Sequence, residues 1–306
     1  MPHTELARIA AGVAFLFLAA LIVWRRTRRS NPRERILGRE ASLSNVHHSA
    51  VDGYTARADT YVRGRPEYPP EVDGWLRIVL RLRPNQKVLD LGAGTGKFSR
   101  KLLATGARVI ALDPVPAMLE QLIRQYPDIE TRIGSAESLP FEDESFDSIV
   151  CAQSFHWFAT PESLVEIRRV LKPGGHLGLI WNVRDESVEW VAALTRIIEP
   201  FEGDTPRYRT QKWRLMFPAD GFSQLQEQQF SNEHIGTSEQ VIVERILSVS
   251  FIAALRPVEQ DRVASQIRNL IAQTPELSGK STVSFPYKTV ALSCIKLTSE
   301  QTGAGE

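Results

Sequence analysis

This chain predicts an α/β fold built on a doubly wound, mostly parallel sheet, and three observations carry that expectation. The apolar run Lys87-Val88-Leu89-Asp90-Leu91 passes straight into Gly92-Ala93-Gly94-Thr95-Gly96, the pattern of a buried strand, a tight turn and a helix start. A second apolar run, Arg108 to Leu112, closes on Asp113, about 20 residues past that turn, as in one strand–helix–strand unit. A third buried strand pattern, Ser145 to Ala152, is followed by a helix and then by another apolar run after Lys172-Pro173-Gly174-Gly175.

The bulk composition is that of an ordinary globular protein. Its 306 residues carry 37 Lys+Arg against 36 Asp+Glu, well mixed, so no nucleic-acid-binding face is expected. The two cysteines, Cys151 and Cys294, sit in apolar runs, as buried reduced thiols do, rather than in a disulfide framework or a metal site.

The N-terminal region reads differently. Ile9 to Trp24 is unbroken in apolar and small residues and makes a helix of about 24 Å, a thin single span against a hydrocarbon core of roughly 30 Å. Arg25, Arg26, Arg28, Arg29, Arg33 and Arg35 follow it, which orients such an anchor with the rest of the chain in the cytosol. Positive charge after the apolar stretch, and no small-x-small site behind it, argue against a cleaved signal peptide; a mitochondrial presequence and a soluble N-terminus are the alternatives. The expected organisation is therefore an anchor helix with its basic flank over 1–29, a linker over 30–57, a catalytic domain over 58–297 and a flexible tail over 298–306.

The domain opens on an aromatic, arginine and proline segment, 58–70, whose prolines hold it extended. Glu71 to Leu82 then carries Val72, Leu76, Val79 and Leu80 on one helical stripe. After the glycine turn, a helix over Lys97 to Thr105 stops at Gly106. Asp113-Pro114 begins a helix over Val115 to Tyr126; Asp113 stands where a carboxylate reaches ribose hydroxyls, a helix cap being the alternative. A weaker strand, Ile129 to Ile133, leads into Gly134-Ser135-Ala136-Glu137. The fourth strand ends in an aromatic cluster, Gln153-Ser154-Phe155-His156-Trp157-Phe158. A helix over Pro161 to Leu171 closes at Lys172 to Gly175, and strand five, His176 to Trp181, delivers Asn182, Arg184 and Asp185. Beyond Val188 come a helix to Phe201, a polar, aromatic-rich insertion over 202–219 placed to shape a substrate pocket, and strands over 225–235 and 285–297. Helices over 238–255 and 257–273 separate those strands.

The spacing of the turn narrows its ligand. A dinucleotide fingerprint needs glycine where Lys97 stands, and a P-loop needs glycine at Leu91 and Ser or Thr at Phe98, so both registers fail. What remains, Asp90-x-Gly92-x-Gly94-x-Gly96, resembles motif I of class I S-adenosylmethionine (SAM)-dependent methyltransferases. Phe146 to Phe158 resembles the fourth strand of the type 11 methyltransferase family, and Leu171 to Gly175 resembles a frequent landmark of the class. Trp181-Asn182-x-Arg184-Asp185 is similar to a subset of small-molecule enzymes that includes the trans-aconitate type.

The resemblance implies a Rossmann-like doubly wound seven-stranded sheet with an antiparallel last strand beside the fifth, and S-adenosyl-L-methionine as cofactor. It assigns Asp90, Gly92, Ala93, Gly94, Thr95 and Gly96 to the methionine end of the cofactor and turns Gln153 toward the transferring methyl group; Asp113, with Pro114 beside it, stands by its spacing at the ribose side of the cofactor site. Ser135, Ala136 and Glu137 are assigned to the border of the adenine, with Ser135 standing where many relatives carry aspartate. It places Tyr61, Arg65 and Tyr68 over the mouth of the site. Trp157 stacks on the sulfonium or packs in the core. Arg184 meets a substrate carboxylate or pairs with Asp185 or Glu186. His156, with an ordinary pKa of about 6.5, is either a general base or a packed histidine.

The expected reaction is methyl transfer to an oxygen or nitrogen of a small molecule, carboxylated or lipophilic. A SAM-binding but inactive interaction module is the competing reading, and a nicotinamide-dependent oxidoreductase is disfavoured by Lys97.

Overall fold

The computed structural model describes residues 65–298 and residue 301. The expected anchor over 1–29, the linker over 30–57, Tyr61 and all but residues 298 and 301 of the tail lie outside the described residues. No described helix is long and apolar enough to cross a membrane.

Seven strands form one sheet: β1 (Lys87–Leu91), β2 (Arg108–Asp113), β3 (Glu130–Ile133), β4 (Phe146–Ala152), β5 (Leu171–Arg184), β6 (Gln226–Gly236) and β7 (Val283–Ile295), in the order β3-β2-β1-β4-β5-β7-β6. β1 to β5 run parallel, and β7 is inserted antiparallel between β5 and β6. That is the topology expected from the resemblance. Because strand order reverses between β1 and β4, the carboxyl ends of those two strands open a crevice for a ligand.

Alternation along each strand feeds two cores. Leu89, Ile149 and Leu179 face one side with Trp181 and Phe155, while Val88, Val109 and Val150 face the other with Leu76, Leu102 and Leu119. Strands buried on both faces read in sequence as nearly continuous apolar runs. A third core joins α5 (Glu189–Ile198) to α8 (Pro257–Gln273) and the start of β7. At the sheet's edge, β6 is mostly exposed and polar, which discourages strand addition. Cys151 and Cys294 are buried and unbridged.

Three elements depart from the sequence expectation. The first helix begins as α1 (Glu71–Gly74) but continues as a wider π turn over Trp75–Val79. Leu80 N–H donates to Trp75 C=O at 3.1 Å, an i→i+5 bond that leaves no mark on a 3.6-residue period. Trp75 and Leu80 close over β5 at Gly178, where an added Cβ would lie 2.8 Å from Trp75 Cη2 and 2.7 Å from Leu80 Cδ1. Gly178→Ala is therefore expected to destabilise the fold by about 1–3 kcal/mol through overpacking, read as a lower denaturation midpoint with unchanged slope.

The turn expected to precede strand five lies inside β5: Leu171 already pairs with Phe146, and Gly174 N–H and Gly175 C=O bond to Lys296. Residues 172–175 are thus an outward bulge of the strand rather than a separate connection. The single helix expected over 238–255 is broken into a π turn (Glu239–Glu244), α6 (Arg245–Leu247) and α7 (Ser250–Ala253), because Val249 is extended, with φ −69° and ψ 131°.

Candidate active site at the carboxyl ends of β1 and β4

The turn after β1 is held from two sides. Gly92 N–H and Ala93 N–H donate to Leu112 C=O at 2.8 and 3.1 Å. Gly94 N–H donates to Asp113 Oδ2 at 2.8 Å, and Val115 N–H donates to Asp113 Oδ1 at 2.9 Å. One carboxylate therefore ties the glycine turn to the start of α3 (Pro116–Gln125). Burial raises the Asp113 pKa from 3.8 to about 6, against the two backbone donors, which favour its charged form.

On the other side, Ser154 Oγ donates to Leu91 C=O at 2.7 Å. Gln153 adopts φ +59°; its N–H donates to Ile180 C=O and its Nε2 to Asn182 C=O. The sharp bend at Gln153 turns the end of β4 across the crevice.

The crevice between these two stitched ends is a concave cleft walled by both backbone and apolar side chains, as small-molecule sites are. Of the residues assigned from sequence, Gly92, Ala93, Gly94, Thr95, Asp113, Pro114, Gln153, Trp157, Asn182 and Arg65 line it. Phe98, Val115 and Met118 add apolar wall that sequence reading did not assign. The cleft thus offers a turn of backbone, one buried carboxylate and an apolar slot, a donor and acceptor set that fits an adenosine-bearing ligand.

Other assigned residues lie elsewhere. Asp90 is fully buried away from the cleft and accepts from Ser99 Oγ at 2.6 Å, fastening β1 to α2 (Ser99–Leu103). Gly96 meets α3, since a Cβ there would sit 2.8 Å from Leu122 Cγ. Ser135, Ala136 and Glu137 are not part of the cleft wall. Their loop is drawn toward α4 (Pro161–Val170), where Leu139 N–H donates to Glu166 and Arg169 donates to Leu139 C=O, and Ala136 packs into the core.

Burial raises the Asp90 pKa from 3.8 to about 7, only partly offset by Ser99. The folded state therefore binds the extra proton: the contribution of Asp90 to stability is fully present below about pH 4 and is lost as pH rises through about 7. Asp90→Asn removes this titration, so its stability relative to the parent chain is expected to rise by about 2–4 kcal/mol between pH 4 and pH 8. Denaturant midpoints at the two pH values check it.

A second cavity adjoins the first, and Arg65, Gln153, Trp157, Asn182 and Arg245 line both. Its remaining wall includes His156, Arg184, Arg207 and Tyr208. The insertion after α5 reaches this wall with Arg207 and Tyr208, as its composition suggested. Arg245 was invisible in the sequence, being one arginine in an otherwise ordinary helical stretch.

The structure does not favour a basic His156. Its Nδ1 accepts from Trp181 Nε1–H at 3.1 Å, which leaves the proton of the neutral ring on Nε2. Burial first, then the charges of Arg207 and Arg65, lower its pKa from 6.5 to about 3. The ring is thus held neutral, with Nε2–H as the donor it can present.

Asn182, on the wall of both cavities, is also held by structural bonds. Its Nδ2 donates to Glu67 C=O at 3.2 Å and its Oδ1 accepts from Thr289 Oγ1 at 2.6 Å and Asn232 Nδ2 at 3.1 Å, so it straps the segment before α1 onto β5, β6 and β7.

Comparison with known proteins bears on what this site is for. The pattern of a methyltransferase domain matches residues 89–179. An uncharacterized methyltransferase-like protein of Schizosaccharomyces pombe is 36% identical over 249 residues, 80% of this chain and 97% of its own length. An uncharacterized methyltransferase of Mycobacterium bovis is 37% identical over 238 residues, 78% of this chain and 92% of its own. A solved structure from Anaeromyxobacter dehalogenans, described as a candidate type II methyltransferase, is similar in fold, with TM-score 0.54 at 23% identity over 76% of this chain and 96% of that one. With the glycine turn, the switch-point cleft and the β7 insertion in place, this extent of identity shows that the chain belongs to the class I SAM-dependent methyltransferases of the type 11 family, whose cofactor is S-adenosyl-L-methionine.

Proposed function

We propose that the chain transfers the methyl group of SAM to an oxygen or nitrogen of a small-molecule acceptor held in the second cavity. The observation that carries this reading is the shared wall: Gln153 and Trp157 border both cavities, as residues flanking a transferring methyl group must.

In this reading Asp113 accepts from the ribose hydroxyls, the Gly92 to Thr95 backbone meets the methionine end, and Val115 and Met118 flank the adenine. Bound SAM supplies a methyl group on a sulfonium, an already activated leaving group. The protein's contribution is then to hold the acceptor in line with that bond. Trp157 presents a ring to the cation. His156 Nε2–H donates to the acceptor and orients it instead of removing its proton, which suits an acceptor atom that is nucleophilic without a protein base.

Incubation with methyl-labelled SAM and the small-molecule fraction of a lysate tests this. Label is expected in a low-molecular-weight product. Tight SAM binding with no labelled product from any fraction would overturn the catalytic reading in favour of an inactive cofactor-binding module.

The arginine-flanked apolar stretch at 9–24 supports a single membrane anchor with the catalytic domain cytosolic. Deletion of residues 1–30 is expected to release the protein from membranes, and persistent pelleting of the truncated chain at high salt would contradict that assignment.

A further inference from the structure

Five arginines line the second cavity, Arg65, Arg184, Arg207, Arg209 and Arg245, against one carboxylate residue, Glu186. Two of them are under-satisfied. The Arg184 side chain is 8% exposed, and its nearest carboxylate oxygen, on Glu186, is 4.0 Å from Nη2. Its Nη1 is buried with no hydrogen-bond partner. Glu186 is itself engaged by Thr195 Oγ1 at 2.8 Å. Arg207 Nη1 likewise has no hydrogen-bond partner and stands 3.6 Å from Glu202 Oε2, an oxygen that already accepts from Arg209 Nε at 3.1 Å.

Buried guanidinium groups without full partners are unfavourable, and the usual remedy is a bidentate oxyanion. Their proton affinities respond as expected of crowded cations. Burial, followed by repulsion from Arg207, lowers Arg184 from 12.5 to about 10. Burial also lowers Arg207 from 12.5 to about 10, and the charges of Arg245, Arg65 and Arg209 add to the fall in spite of Glu202. Both remain cationic at neutral pH. His156, with Nε2–H as its available donor, adds a neutral donor to the same wall.

We infer that the second cavity is an oxyanion subsite in which Arg184 and Arg207 bind a carboxylate or phosphate group of the methyl acceptor, at a point removed from the atom that receives the methyl. A guanidinium pair bound directly to the reacting oxygen would withdraw its lone pairs, so the anion serves as a handle that orients the rest of the acceptor. The charge of the cavity wall disfavours a purely lipophilic acceptor. The inference rests on the methyl-transfer reading of the first cleft only for the word acceptor; the anion site itself can be tested apart from it.

The test is calorimetric titration of the full chain, saturated with S-adenosylhomocysteine, with succinate, inorganic phosphate and neutral succinamide at constant ionic strength. Saturable binding of succinate or phosphate, and none of succinamide, is expected; whichever anion binds more tightly identifies the group as carboxylate or phosphate. Arg184→Gln and Arg207→Gln are each expected to weaken the anion at least tenfold while S-adenosylhomocysteine affinity stays within twofold, which also reports that the variants are folded. Arg184→Lys, which keeps charge but loses the fork, should fall between. Absence of saturable anion binding, or anion binding indifferent to all three substitutions, would overturn the inference. Anion binding that survives while S-adenosylhomocysteine fails to bind the parent chain would instead overturn the cofactor placement and leave the anion site standing.

Discussion

Asp113→Ala is expected to weaken S-adenosylhomocysteine binding by about 100-fold or more. Charge-assisted hydrogen bonds from a ribose to this carboxylate contribute about 1.5–3 kcal/mol each, and every 1.4 kcal/mol is about tenfold in affinity. The substitution also orphans Gly94 N–H and Val115 N–H, both of which Asp113 now accepts from, so the turn itself loosens. Asp113→Asn keeps one acceptor and should fall near tenfold. The same side chain gives a pH signature. Its pKa, raised to about 6 by burial, means that protonation removes acceptor capacity as pH drops through that value, so affinity in the parent chain should decline below about pH 6 and be flat above about 7. Calorimetry across pH measures both effects, and an unchanged affinity in Asp113→Ala would remove the ribose contact from the account.

Gly92→Val is expected to be the most disruptive single change in the turn. Gly92 has φ +72°, and an added Cβ would fall 2.5 Å from Ser154 Cβ and 2.9 Å from its Oγ. Backbone strain and overpacking each contribute about 1–3 kcal/mol, and Ser154 cannot retreat without giving up its bond to Leu91 C=O. Loss of about 3–5 kcal/mol of stability is expected, with loss of cofactor binding. Gly94→Ala is the informative contrast. Gly94 also has positive φ, at +55°, yet nothing lies within 4 Å of an added Cβ, so its stability should fall by only about 1–2 kcal/mol. Because Gly94 lines the cleft, its cofactor affinity should fall more steeply than its stability. Equal stability losses in the two variants would contradict the close packing of β1 against the end of β4.

The central strands and the cleft between them were legible because each leaves a local mark. Lys87 to Gly96 joins an apolar run to glycines whose spacing excludes two other cofactor classes, and Asp113 stands where a second parallel strand must end. Even the β7 insertion beside β5 followed from resemblance once the last apolar runs were recognised. What escaped reading depends on contacts between distant segments. The π turn at Trp75 packs against Gly178, about 100 residues away in sequence, and leaves no mark on the local period. His156 looked like a base because its type titrates near neutrality; the indole of Trp181, which occupies its Nδ1, belongs to another strand. Glu166 and Arg169 hold the 135–139 loop against α4 from outside that loop, a contact that no local motif announces. Arg207 and Arg245 come from two elements joined to the site only by folding.

The most direct test of the account is a crystal structure of the chain with S-adenosylhomocysteine. The expected result puts the ribose hydroxyls within hydrogen-bond distance of Asp113, the amino-acid end over the Gly92 to Thr95 backbone, and the sulfur toward the wall shared by Gln153 and Trp157, facing the arginine-lined cavity. Ligand seated in the arginine-lined cavity itself, or with its ribose away from Asp113, would contradict it.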